Sequence, residues 1–195
     1  MNSLRADVVV VGAGHAGCEA AWAASKLVGS VVLATLSRGS IASMPCNPAV
    51  GGTAKGQLVR EIDALGGLMG QAIDATGIQF KVLNASRGPA VWAPRAQADK
   101  ARYADWMRAA IEGASSILVV EAQVARLLLE GARVVGVEFV DGSRCLARAV
   151  VVTTGTFLNG LVHVGDESRP AGRADEPPSV HLGEQLRALG LRVGR

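Results

Sequence analysis

DVVVVGAGHAGCEAAWAASKLVGSVVLAT, residues 7–35, is the stretch that decides the fold of this chain. A short apolar run from Asp7 to Val11 ends at Gly12, and a second apolar run covers Val31 to Thr35. Runs of this length and β-branched content predict strands, whereas the alanine-rich segment from Ala16 to Leu27 predicts a helix. The stretch therefore predicts a strand, a helix and a second strand in immediate succession.

The turn between the first strand and the helix carries the pattern GxGxxG at residues 12–17. In that position the first glycine makes the turn, the second lets the backbone approach a pyrophosphate, and the third lets helix and strand pack. The N-terminus of the helix then directs unpaired N–H groups and its positive dipole end at the phosphates. An incidental glycine turn is the alternative, but the strand and helix on either side favour dinucleotide binding.

The end of the second strand lacks the acidic residue that grips the ribose of NAD, because Thr35-Leu36-Ser37-Arg38 occupies that place. Three short runs at 124–129, 134–140 and 144–146 are separated by Glu130-Gly131 and Asp141-Gly142, the pattern of an antiparallel meander. A strand from Ala149 to Thr153 and a Thr154-Gly155 turn follow, an arrangement typical of two-dinucleotide-domain flavoproteins. FAD is therefore favoured over NAD, with a plain core strand and turn as the alternative.

The whole pattern predicts an α/β fold, a Rossmann-like FAD-binding fold with three layers and a mostly parallel sheet. We expect one domain over residues 1–195, with an inserted helical and loop segment at about 37–98 and the meander at about 124–147. Helices are predicted at 55–65, 97–114 and 179–189, and a strand that has only begun at 191–195.

Composition narrows the classes of protein. Hydrophobic residues make up 49% of the 195 residues, but none of the apolar runs approaches the roughly 18 residues of a membrane span, and the N-terminus lacks a signal pattern. The three cysteines and three histidines are scattered without a CxxC, so we expect no metal site. A net charge of +3 does not by itself indicate nucleic acid, although a pI near 9 permits an acidic partner. We expect a cytoplasmic protein with no membrane association.

Cys46 is the cysteine for which a chemical role is predicted, since it lies in the polar loop MPCNPAVGG at residues 44–52, ahead of a predicted helix. A helix N-terminus can stabilise a thiolate. The alternative is a small, half-buried side chain without chemistry. Cys18 and Cys145 fall within a helix and a strand, where inert core positions are expected.

The stretch from Lys81 to Arg108 interleaves aromatic residues with cations. The cations are Lys81, Arg87, Arg95, Lys100, Arg102 and Arg108, and the aromatic residues are Trp92, Tyr103 and Trp106. Such a stretch could follow a phosphate backbone and stack a base. The alternative is a solvated helix face with its aromatic residues turned to the core.

Longer motifs resemble one family over almost the whole chain. The matching segments are GAGHAGCEAAWAA at 12–24, MPCNPAVGGTAKGQLVREIDALGG at 44–67, GIQFKVLNASRGPAVWAPRAQADK at 77–100, TTGTFLNG at 153–160, AGRADEPPS at 171–179 and LRALGLRVGR at 186–195. They are similar to the MnmG (GidA) family. Ala13, Ala54, Gln57 and Trp92 depart from residues common in that family.

The resemblance implies an FAD enzyme that, with the GTPase MnmE, installs a carboxymethylaminomethyl group on C5 of the wobble uridine of certain tRNAs. It also implies methylenetetrahydrofolate as one-carbon donor, glycine or ammonium as the amine, NADH as reductant, and a homodimer. By the same resemblance, Cys46 would act in the chemistry, Val124 would contact the adenine side of FAD, and Ser179 would help to bind it. The residues expected at the FAD pyrophosphate are Gly12, Ala13, Gly14, His15, Ala16 and Gly17.

The family continues well past residue 195, so length predicts that this is an N-terminal portion with an incomplete FAD-binding domain. Such a portion is expected to lack activity alone. A second interpretation is a non-catalytic FAD- or RNA-binding fragment from a truncated or split gene. A third is a flavin oxidoreductase with a small-molecule substrate, which would not require the Cys46 loop or the basic stretch.

Overall fold

A computed structural model describes residues 3–172 and 179–192 of the chain. The strands are β1 Leu4–Val11, β2 Val31–Thr35, β3 Ala49–Gly51, β4 Gly77–Leu83, β5 Ala93–Ala98, β6 Ile117–Glu121, β7 Val124–Glu130, β8 Arg133–Phe139, β9 Arg144–Val152, β10 Leu161–Val164 and β11 Glu167–Pro170. The helices are α1 His15–Ser25, α2 Lys55–Ala64, α3 Met69–Thr76, α4 Lys100–Gly113 and α5 Val180–Ala188.

The main sheet has the strand order β6-β2-β1-β9-β8-β7. Its first four strands run parallel, with Val10 of β1 opposite Leu33 of β2, and β8 and β7 continue it antiparallel. The expected strand, helix and second strand are therefore present, and the prediction of a Rossmann-like α/β fold with a mostly parallel sheet is confirmed.

Side chains alternate between the two faces of the parallel strands, as a strand repeat of two requires. Val10 and Leu33 belong to a core shared with α1 and α4, in which Tyr103, Met107 and Ile111 form a buried row at helical spacing. Helices cover this face of the sheet.

Strands β7 and β8, which join the sheet through the start of β9, also pack over the opposite face of the four parallel strands. Val9 and Val32 share a second core with Val124, Leu127 and Val137 of the meander strands. Leu182 of α5 is also fully buried in this core. The four parallel strands consequently lie between a helical layer and a layer made of β7, β8 and α5.

β9 corrects one expectation from the sequence, since the runs predicted at 144–146 and 149–153 belong to one continuous strand, which ends at Val152. It pairs with β1 from Cys145 to Val152, and its first residues also pair antiparallel with β8. One strand thus serves both the meander and the parallel sheet. Ala147 and Arg148, which interrupt the apolar pattern, stay in the strand because their backbone lies within the β1 ladder.

Segment 37–98 contains more regular structure than the sequence indicates. β3, β5 and β4 form a three-stranded antiparallel sheet, and α3 follows α2. The sheet escapes sequence analysis because the five central residues of β4 are all exposed, which removes the alternation of buried and polar positions. The predicted helix at 97–114 starts later, at Lys100, because residues 97–98 belong to β5. The Asp99 carboxylate caps it by accepting hydrogen bonds from the N–H groups of Ala101 and Arg102.

At the C-terminal side, β10 and β11 form a hairpin that the sequence analysis did not predict. Helix α5 agrees with the helix expected at 179–189 to within one residue at each end. The strand expected at 191–195 is not seen at residues 191–192, and residues 193–195 lie outside the described residues, as does 173–178 of the AGRADEPPS motif.

Candidate dinucleotide-binding site

A cleft opens at the carboxyl ends of β1, β2 and β9, the edge at which open α/β sheets bind ligands. It is lined by residues 11–14, 34–36, 40, 122–124, 153–157 and 179. The glycine turn, the end of β2, the start of β7 and the turn after β9 therefore meet around one space.

The turn after β9 is bonded directly to the glycine turn. The Thr153 hydroxyl donates to the carbonyl oxygens of Val11 at 2.8 Å and Gly12 at 3.0 Å, and the Thr153 N–H also donates to Val11 O. Gly12 has a φ of +100°, and a Cβ there would lie 2.6 Å from Thr153 O. A glycine at position 12 is thus required both by conformation and by the closeness of Thr153.

The other two glycines of the motif have opposite environments. A Cβ on Gly17 would lie only 1.7 Å from Gly12 O, whereas a Cβ on Gly14 would meet nothing within 4 Å. Gly17 is therefore required by packing between α1 and the turn. The open space at Gly14 leaves room for a ligand against the backbone.

Helix α1 presents an uncapped N-terminus at this space. Gly14 is its N-cap residue, no side chain accepts a hydrogen bond from the first turn, and the first turn carries no acidic residue. Unpaired N–H groups and the positive end of the helix dipole favour an anion there. The residues present therefore fit a diphosphate.

The six residues expected at the pyrophosphate do not all reach the cleft. Gly12, Ala13 and Gly14 line it, whereas His15, Ala16 and Gly17 form the first turn of α1 behind it. Three residues of the motif therefore border the space, and the other three shape its wall. The ring of His15 packs 5.7 Å, between centroids, from that of Tyr103.

The part of the cleft that borders β2 and β7 is neutral. Val124 and Ser179, both named from the sequence, line the cleft, and so do Thr35 and Gln123. Among the described residues, every side chain that lines the cleft is uncharged. The position at which NAD enzymes place an acid is taken by Leu36, so the ribose would be bound by hydroxyl, amide or backbone groups.

Cys46 lies outside this cleft. It is exposed, in the loop between β2 and β3, and is absent from the residues that line the cleft. β3 separates it from α2 along the chain, so a position directly ahead of a helix, expected from the sequence, is not what the structure shows. Its exposure leaves the thiol accessible to solvent.

Comparison with known proteins identifies the family. The protein-family model described as "Glucose inhibited division protein A" matches residues 7–195. This chain belongs to the GidA family. The resemblance that its motifs indicate is therefore confirmed.

Relatives of this GidA-family chain are named for one activity. This chain is 54% identical over 189 residues to the tRNA uridine 5-carboxymethylaminomethyl modification enzyme MnmG of Syntrophotalea carbinolica. The match covers 97% of this chain and 30% of that protein. The MnmG of Geobacter metallireducens is 53% identical with the same coverage. The chain therefore spans about a third of the length of these relatives.

Solved structures agree with this assignment. A crystal structure of GidA from Aquifex aeolicus matches with a TM-score of 0.89 and 49% identity, over 94% of this chain and 31% of that one. The GidA-related protein from Thermus thermophilus matches with a TM-score of 0.66 and 28% identity, over 96% and 69% of the two chains. PqsL, a probable FAD-dependent monooxygenase from Pseudomonas aeruginosa, shares the fold, with a TM-score of 0.51 and 16% identity.

The basic, aromatic stretch at 81–108 divides into two parts in this GidA-family structure. Tyr103 is fully buried and Trp106 packs against the same core, while Arg108 forms an ion pair with Asp105. Helix α4 therefore fits the alternative of a solvated helix with its aromatic residues turned inward. Trp92 and Lys81 are exposed and lie on the hairpin formed by β4 and β5.

Burial distinguishes the three cysteines chemically. Cys18 and Cys145 are fully buried. Burial raises the pKa of the Cys18 thiol to about 12 and also raises the pKa of Cys145. Because the thiolate is the reactive form, both buried thiols are expected to be inert.

We expect iodoacetamide at mildly alkaline pH to alkylate one cysteine of the native protein, Cys46, and all three after unfolding. Mass spectrometry of the intact protein and of its peptides measures this. The Cys46→Ser variant should take up no label while native. Labelling of Cys18 at a comparable rate would contradict the buried position of its sulfur.

Two further properties concern residues 3–172 and 179–192. No helix in this part of the chain is long and apolar enough to cross a bilayer. Within the same residues, no three His, Cys, Asp or Glu side chains gather into a group that could hold a metal ion.

Proposed function

We propose that this chain is the FAD-binding part of a tRNA-modifying enzyme. The observation that carries the proposal is the glycine turn, where Gly17 is closed by packing while Gly14 faces open space beside an uncapped helix N-terminus. A turn of this kind fits a diphosphate bound by backbone N–H groups. Membership of the GidA family and the names of its relatives support tRNA as the substrate.

In this proposal the diphosphate of FAD lies against residues 12–17, with Gly12, Ala13 and Gly14 in contact and His15, Ala16 and Gly17 holding the turn. The adenosine half extends past Val124 at the start of β7, and Ser179 closes the cleft near the turn after β9. The neutral lining suits adenosine without a grip from a carboxylate. Bound flavin would supply electron transfer, and the protein would bind it, orient it and limit access of water.

We propose that residues 1–195 form an incomplete FAD-binding domain, with the insertion at about 37–98 and the meander at about 124–147. The separate three-stranded sheet β3-β5-β4 supports an insertion, since its strands pair with one another and not with the main sheet.

We infer the finer activity from the family. With the GTPase MnmE, the whole protein would add a carboxymethylaminomethyl group to C5 of the wobble uridine of certain tRNAs in the cytoplasm. Methylenetetrahydrofolate would supply the one-carbon unit, glycine or ammonium the amine and NADH the reducing equivalents, and the enzyme would act as a homodimer. The exposed Cys46 thiol would take part in the chemistry, because thiolates are strong nucleophiles.

FAD titration tests the proposal. We expect FAD, added to the purified chain, to change its flavin fluorescence on binding and to raise the melting temperature in a concentration-dependent manner. NAD should have a much smaller effect, since no acid lies at the end of β2. Absence of any thermal shift at millimolar FAD would refute the assignment of the cleft.

A non-catalytic FAD- or RNA-binding fragment is the second candidate function, favoured by the position of Cys46 outside the cleft. Expression of the chain in cells that lack full-length MnmG distinguishes the two. Recovery of modified wobble uridine, measured by mass spectrometry of tRNA nucleosides, supports the enzyme. Bound flavin without such recovery supports the fragment.

A further inference from the structure

The connection between β4 and β5 holds an exposed indole in a defined place. Trp92 is 46% exposed, and its Nε1–H donates to the carbonyl oxygen of Ala85 at 3.1 Å. The Asn84 amide donates to Val91 O at 3.3 Å across the same connection. A large aromatic side chain is thus fixed at one edge while much of its surface stays in solvent.

Cations accompany this indole on the same small sheet. Lys81 lies directly opposite Arg95 in the β4–β5 ladder, so both side chains belong to one face of the sheet. Lys55 begins α2 beside them, and its Nζ donates to Ala49 O at 3.1 Å. Burial and the charge of Arg95 both lower the pKa of Lys55, which indicates that these two cations are close. Arg87 is exposed in the connection itself.

Among the described residues, these cations have no carboxylate partners within ion-pair distance. The five ion pairs in that part of the chain involve other arginines, namely Arg38, Arg108, Arg126, Arg144 and Arg148. Asp63 and Asp74 line a cavity together with Lys81 and Arg95, but neither carboxylate forms an ion pair with them. The hairpin therefore carries an excess of positive charge.

We propose that the β4–β5 hairpin, residues 77–98, forms an RNA-docking surface together with Lys55 of α2. On it, Lys81, Arg95 and Lys55 contact phosphates and Trp92 stacks on an unpaired base. A cationic surface with an exposed aromatic side chain is the arrangement that proteins use for single-stranded nucleic acid. Charge complementarity favours RNA over an apolar partner. The inference rests on the proposed function in one respect, because it takes tRNA as the substrate.

Binding of a short RNA hairpin with a uridine in its unpaired loop tests the surface by fluorescence anisotropy at several salt concentrations. We expect Lys81→Gln combined with Arg95→Gln to weaken binding and to lower the slope of log K against log salt by about 1.4, since each phosphate contact on a single strand contributes roughly 0.7. Trp92→Ala should weaken binding roughly ten-fold with the slope unchanged, because stacking involves no counterion. Trp92→Phe should retain most of the affinity.

Arg148→Gln is the matched control, since it removes an 81% exposed cation on the remote strand β9. It should leave RNA affinity unchanged. Equal RNA binding by the parent chain, the double variant and Trp92→Ala would overturn the surface. Binding to anionic phospholipid vesicles with none to RNA would also overturn it.

FAD titration of the same variants separates this inference from the proposed function. Retained FAD binding shows that the variants are folded, so loss of RNA affinity then reports on the hairpin. If the parent chain binds RNA through the hairpin but not FAD, the surface stands and the proposed function fails. If the parent chain binds FAD but not RNA, the proposed function stands and the RNA-docking surface fails.

Discussion

Gly17→Ala is expected to destabilise the protein by about 3 kcal/mol or more and to abolish FAD binding. The added Cβ would lie 1.7 Å from Gly12 O and 2.8 Å from the Thr153 hydroxyl oxygen. The first of these atoms is backbone within the turn, so no flexible side chain can move aside. Relief requires α1 to shift away from β1, which breaks both the core and the turn. Urea unfolding monitored by circular dichroism measures the loss.

Gly14→Ala is the informative control for that variant, since it adds the same methyl group three residues away. Its Cβ meets nothing within 4 Å and its φ of −69° suits alanine. Stability should therefore fall by at most about 1 kcal/mol, the cost of alanine at an N-cap. FAD affinity should nevertheless fall by at least ten-fold, because the methyl group enters the space assigned to the diphosphate. Unchanged FAD affinity in Gly14→Ala would place the diphosphate elsewhere.

Glu19→Ala is expected to lower the free energy of unfolding by about 2–3 kcal/mol. The Glu19 carboxylate, on α1, accepts hydrogen bonds from the N–H groups of Leu68 at 3.0 Å and Met69 at 2.6 Å. These groups begin α3, so a charged side chain from one helix caps the N-terminus of another. Leu68 and Met69 are themselves buried, and their amides would be left without partners away from water.

Glu61→Ala provides the comparison, because Glu61 is an exposed glutamate on α2. Its loss should change stability by no more than about 0.5 kcal/mol. Hydrogen exchange adds a local measurement, since the Leu68 and Met69 amides should lose protection in Glu19→Ala alone. Equal effects of the two substitutions in both measurements would show that the cap contributes nothing.

The parts of the fold that sequence predicts well are those set by neighbours along the chain. The βαβ unit follows from apolar runs of strand length around a helical segment, and the chain folds it with β1 and β2 in direct parallel pairing. The wrong or missing predictions concern strands that pair with segments distant along the chain. β4 has no buried face to reveal it, and β9 continues through Ala147 and Arg148 because β1 supplies the hydrogen-bonding partner.

Residues 7–35 alone predict three features of this protein. They are a turn that needs glycine at position 12, a helix that starts beside it, and the absence of an acidic residue at the end of β2. Tertiary packing decided the rest. It placed Thr153 against Gly12, Tyr103 in the core, and Cys46 outside the cleft. The difference has one physical cause, since backbone conformation depends on adjacent residues, whereas burial and proximity depend on which distant segments meet.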